Sequence, residues 1–257
     1  GAITMSMDLA AVVVALAFTY PWGERLPAWL VLPPIWVATG LLVPITLGVP
    51  LGSLVQALAG GSPVTPDNGL RGWVYAMLLA TFGFYARSRW AELFRLRVED
   101  LPAISAWQLR IADVAAVVAI GYGVLHVVWA LSGGGFGGDP ASVQTALQKT
   151  FWAVQGPLSM VGAAGVLTLA HRWGRGRLLV PLASAWVGTG VVFASGLYAA
   201  MVAAGSSMVR FPVLVLCAGT GLLMAALVVR LLSWRSSDPR QGRIAIRTAA
   251  GDRELIV

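Results

Sequence analysis

Tyr122, His126 and Trp129 lie in one long apolar run at spacings of i, i+4 and i+7, which a helix stacks on a single face. An imidazole held among apolar groups could pass a proton, accept a hydrogen bond from a bound molecule, or tie one helix to the next. The second group able to do acid-base chemistry is Asp113, a carboxylate inside the same run. It sits nine residues before Tyr122, half a turn out of phase and about 13 Å away along a helix axis, so it cannot share a site with His126. Arg110, three residues earlier, offers it an i, i+3 partner, and the structural reading of Asp113 is preferred over a relay. His126 and Asp113 are therefore the two candidate catalytic groups, and His126 is the better one.

Other chemistries lack their residues. The one cysteine, Cys217, can form no internal disulfide and no CxxC pair, and the one lysine, Lys149, lies too near a loop for a Schiff base inside a bundle. No HExxH, phosphate-loop or dinucleotide fingerprint occurs, and the Gly-rich stretch after Ser132 follows a helix rather than joining a strand to one. His126 and His171 fall at opposite sides of the membrane in the topology below, which excludes a bis-imidazole haem or shared metal within one chain. Neither cofactor nor metal is expected.

The elements that position these groups follow from composition. Of 257 residues 58% are hydrophobic and 11% charged, against roughly 25% charged in a soluble domain. The fold class is all-α integral membrane protein with seven transmembrane helices. The expected spans are 1–20, 28–47, 72–86, 109–131, 150–171, 178–203 and 211–233, each near the length that crosses a bilayer core. Pro33, Pro34 and Pro44 should bend or break the second span, and 51–69 reads as a loop with a short interfacial helix at 51–59. Residues 86–102 alternate arginines with apolar residues and read as an interfacial amphipathic helix. In domain terms, residues 1–88 form a first membrane repeat, 89–108 a cytoplasmic linker, 109–234 a second repeat of four spans, and 235–257 a polar cytoplasmic tail.

The net charge of +7 belongs to membrane orientation rather than nucleic acid. With the 86–110 loop inside, fifteen of the eighteen basic residues lie on the inner side, leaving Arg71, Lys149 and Arg210 outside. The protein is thus expected in the cell membrane with its N-terminus outside and its C-terminus in the cytoplasm. The tryptophans other than Trp36 and Trp186 fall mostly at span ends, as an aromatic belt requires.

Those two exceptions expose an internal repeat. Trp36-Val-Ala-Thr39-Gly40 matches Trp186-Val-Gly-Thr189-Gly190 at an offset of 150, and Trp22-Gly23 matches Trp173-Gly174 at 151. Spans one to three then correspond to five to seven in the same orientation, as parallel repeats. The span carrying His126 is the unmatched one, and its counterpart, an eighth helix, would precede Gly1.

Leu125, His126, Trp129, Ala130 and Leu131, followed by a Gly-rich turn, resemble a Leu-His-x-x-Trp-Ala-Leu-Gly-Gly-like run of an uncharacterised family of bacterial multipass membrane proteins. Ser132 interrupts the glycine pair, and the resemblance covers one helix and its turn. It implies a multipass membrane fold and no particular activity.

By this topology Tyr122, His126, Trp129, Gln155 and Tyr198, with Ser159 and Ser195, share the outer half of the membrane. The first five are the expected ligand-binding residues, in a cavity among spans four to six, for a protein that binds or moves a small, largely apolar molecule or serves as an accessory membrane subunit. The alternative is a membrane-embedded enzyme acting on a lipid or isoprenoid, terpene-cyclase-like, with His126 or Asp113 as acid-base group in an aromatic-lined cavity. The expected partners are the bilayer and that apolar ligand or lipid-like substrate.

Overall fold

The computed structural model describes residues 28–59, 75–84, 87, 91, 95–134, 145–203 and 210–233, which form helices and their connections apart from one isolated bridge. The helices are α1 (Ala28–Leu58), α2 (Tyr75–Phe84), α3 (Ala106–Ser132), α4 (Ala146–His171), α5 (Leu179–Ala203) and α6 (Arg210–Ser233). They correspond to the second to seventh expected spans. The first span and the tail lie outside the described residues. Four helices, α1, α3, α4 and α5, are long and apolar enough to cross a membrane, and the 27 residues of α3 reach about 40 Å. The coarse architecture is that of an all-α membrane protein.

Two expectations are corrected. Helix α1 runs through Pro33, Pro34, Pro44 and Pro50 without a break and continues to Leu58, so the short helix expected at 51–59 prolongs the second span instead of standing apart as an interfacial one. Each proline forfeits one backbone hydrogen bond, a loss that neighbouring helices offset in an apolar setting. The added turns pack on the start of α4: a methyl on Gly48 would lie 3.3 Å from Phe151 Cα, and one on Gly52 2.9 Å from Leu147 Cα. Helix α4 in turn begins at Ala146, closed by Thr145 and Gln148, whose side chains accept from each other's backbone N–H at 3.2 and 3.0 Å.

The linker is the second correction. Arg87, Ala91 and Arg95 are helical, but from Leu96 the chain leaves the helix, bridges Arg97 to Arg177 and makes a single 3-10 turn at Val98–Asp100. The turn after α4 carries backbone groups without helical partners, and the linker supplies them. Val98 N–H donates to Gly176 O at 3.1 Å, Leu178 N–H to Leu96 O at 2.8 Å, and the Arg172 guanidinium to Glu99 O at 2.6 Å. Held so, Val98 and Leu101 sink to 2% exposure and close one end of the core among α3 to α6.

Alanines and glycines let the helices approach. Ala112, Ala115, Ala116 and Ala119 of α3 share the core with Ala163, Val166 and Leu169 of α4. Methyl groups on Gly123, Gly162 or Gly40 would strike the backbone of Gly156, Gly188 or Gly190, fixing the α3–α4, α4–α5 and α1–α5 crossings. The paired positions along α1–α4 and α4–α5 ascend in one helix as they descend in the other. Both contacts are therefore antiparallel, and α1 and α5 point the same way.

Candidate functional site

The register of α3 against α4 builds the site. Gly123 on Gly156 brings the last turns of α3 beside the first turns of α4, and His126, six residues before the end of α3, meets Trp152, six after the start of α4. The imidazole is 1% exposed. Tyr122, Trp152 and Trp129 surround it, with ring centroids at 4.0, 4.6 and 5.2 Å, and the two indoles meet edge to face at 5.6 Å.

Its hydrogen bonding is one-sided. His126 Nδ1 lies 2.8 Å from Tyr122 O, one turn back on its own helix, and because a carbonyl only accepts, Nδ1 carries the proton. In the neutral ring Nε2 is then a lone-pair acceptor. That atom is buried and has no hydrogen-bond partner, an arrangement that costs about 1–3 kcal/mol when nothing repays it.

The other expected site residues separate into groups. Tyr122, 5% exposed, crosses to α5 and donates its hydroxyl to Ser195 Oγ at 3.2 Å, while Ser195 donates to Val191 O. Gln155, 3% exposed, is about one turn below Trp152, and its backbone carbonyl accepts from Ser159 Oγ at 3.0 Å. Tyr198 belongs to α5, but its side chain lies outside the described residues. Trp152 was expected only as part of the aromatic belt, and the structure makes it the lid over His126. The missed signal was depth, since an antiparallel hairpin places residues equally far from its turn side by side.

Asp113 lies elsewhere. It is thirteen residues before His126, about 20 Å along α3, and its Oδ1 accepts from His171 Nε2 at 2.7 Å rather than taking the local partner Arg110. The His171 ring stacks on Trp173 with centroids 4.8 Å apart. This pair is at the end closed by Val98 and Leu101, so the two acid-base candidates occupy opposite ends of the bundle. Among the described residues no three His, Cys, Asp or Glu side chains gather to hold a metal.

Two cavities flank α1 and α4. One, of about 260 Å³, is lined by Val49, Leu147, Gln148, Phe151 and Trp152, and a second of about 300 Å³ by Val43, Leu158, Val161, Ala183, Ser184 and Val187. Neither is the expected opening among spans four to six, and neither is lined by Tyr122, His126 or Gln155. The first touches the site through a shared wall, the Trp152 indole. It is an open, largely apolar depression on the flank of the helices, with the volume of a substituted ring or a short branched chain.

Chemically the arrangement is a buried hydrogen-bond acceptor, enclosed by aromatic rings, one side chain away from an apolar groove. No protein-family model, curated protein or solved structure matches the chain.

Proposed function

We propose that this chain is a multipass protein of the cell membrane that binds or moves a small, largely apolar molecule through the groove between α1 and α4. One observation carries the reading: Trp152 forms a wall of that groove and packs against the His126 ring at 4.6 Å, and the imidazole Nε2 is buried without a partner. An acceptor left unsatisfied in a packed core is expensive unless something uses it, and the neighbouring groove is apolar, as a site for a hydrophobic molecule should be. The proposal keeps the orientation read from the arginines, with the N-terminus outside, which puts this groove in the outer half. It also keeps the parallel repeat, supported by the common direction of α1 and α5 and by the meeting of Gly40 with Gly190, residues related by the repeat offset.

The test is photolabelling of the full chain in liposomes with a diazirine-bearing alkylbenzene. Label should concentrate on the segment holding Phe151 and Trp152, and unlabelled alkylbenzene should compete with it. Filling the groove with Val49→Phe and Leu147→Phe should remove most of that label while leaving helical content unchanged. Label spread evenly over lipid-facing residues such as Val114 and Val117, with no competition, would sink the proposal.

A further inference from the structure

We infer that the molecule taken up by the groove is a hydrogen-bond donor, an apolar alcohol or phenol whose O–H points at His126 Nε2, and that ethers and ketones of the same shape are rejected. The inference rests on the groove reading above and adds the ligand's polar group.

The tautomer decides the class. Tyr122 O can accept but not donate, so the 2.8 Å contact places the ring proton on Nδ1 and leaves Nε2 as an acceptor. A second proton on Nε2 would create an enclosed cation, and among the described residues the acidic side chain on α3, Asp113, is occupied by His171 at the far end. Among the described residues the rings packed on it are those of Tyr122, Trp129 and Trp152. The Tyr122 hydroxyl, which could have turned to a neighbour in need, donates instead to Ser195 on α5. A carbonyl or ether oxygen brought to Nε2 would set lone pair against lone pair, whereas a hydroxyl completes the bond.

Geometry gives the route. Trp152 is the side chain that touches both His126 and the 260 Å³ groove, so turning its indole off the imidazole opens a path from groove to ring. The body of the ligand then occupies the groove against Phe151 and Trp152, and its hydroxyl replaces the indole at the ring edge. Sites built to pair one polar atom discriminate strongly against analogues that leave it unpaired.

The test uses the full chain in lipid nanodiscs, labelled with 15N-histidine, with His171→Gln to assign the second ring. Without ligand, His126 should show a protonated Nδ1 and an unprotonated Nε2. Titration with 4-propylphenol should move the Nε2 resonance toward its hydrogen-bonded position, and 4-propylanisole, the methyl ether, should leave it in place and bind about tenfold more weakly. A protonated Nε2 in the free protein, or equal affinity for phenol and ether, overturns the inference. Equal binding with groove labelling intact would leave the groove reading standing, while absence of both binding and labelling would remove the two together.

Discussion

Trp36 Nε1 donates to Thr189 Oγ1 across 2.9 Å, joining residues 153 positions apart that belong to the two copies of one five-residue pattern. Thr189 passes the bond on, its hydroxyl lying 3.2 Å from Trp186 O, and Trp36 also stacks on Phe193 with centroids 4.8 Å apart. Both partners are buried, so the indole N–H has no water to fall back on. Thr189→Val should therefore cost about 1–3 kcal/mol by stranding that donor. Trp36→Phe in the Thr189→Val background should cost less than it does alone. The measurement is a double-mutant cycle from unfolding in mixed micelles, and strict additivity would mean that the bond contributes nothing.

The small-residue crossings predict a contrast among glycines. At Gly40 an added methyl would overlap the backbone of Gly190, whereas at Gly83 and Gly121 it meets nothing within 4 Å. Gly40→Ala should lower stability by about 1–3 kcal/mol as α1 and α5 are pushed apart. Gly121→Ala, in the middle of a helix, should be neutral or stabilising by up to about 1 kcal/mol. Thermal unfolding of both variants in one detergent checks the pair, and equal losses would contradict the close packing of α1 on α5.

How far the fold could be read before the structure depended on which force set each boundary. Spans 109–131 and 178–203 are fixed by apolar length and charged flanks, both local properties, and α3 and α5 follow them closely. Helix α1 runs on past the expected second span because Gly48 and Gly52 seat its later turns against α4. That is a tertiary fact with no local signature. The site was half legible: residue type singled out His126 and helical spacing gave Tyr122 and Trp129, but Trp152 needed the partner helix. The same holds for the linker, where an amphipathic pattern hid two apolar residues, Val98 and Leu101, used to plug the core.

That plug carries its own prediction. Leu101→Ala should destabilise the protein by about 2–5 kcal/mol, the cost of emptying a fully buried leucine site, although sequence places it in a connection. Leu131→Ala, on a side chain 82% exposed at the end of α3, should cost almost nothing. Comparing the two in unfolding experiments separates a plug from a passive linker. A small loss at Leu101 would mean that the linker merely lies against the bundle.

The orientation proposed from the arginines can be checked with thiols. In a Cys217→Ser background, whose hydroxyl can bond back to its own helix, Ser88→Cys and Gly134→Cys should respond oppositely to a membrane-impermeant maleimide on intact cells. Gly134→Cys should be modified from outside and Ser88→Cys only after permeabilisation. The reverse pattern would turn the whole bundle over and place His126 and the groove beside Trp152 on the cytoplasmic side.

Asp113, three residues after Arg110, and His171, next to Arg172, lie near the same expected inner boundary, and the structure joins them at 2.7 Å. Their side chains are 49% and 26% exposed, so solvent screens the pair and it should contribute no more than about 0–1 kcal/mol. Asp113→Asn and His171→Gln are accordingly expected to fold with near-normal stability. Neither should alter photolabelling of the groove, because the pair sits about 20 Å from His126 along α3. His126→Phe should change groove binding with Asp113 intact. If Asp113→Asn abolished binding instead, the chemistry would belong to the other end of the bundle, and the buried imidazole would be only a strut between α3 and α4.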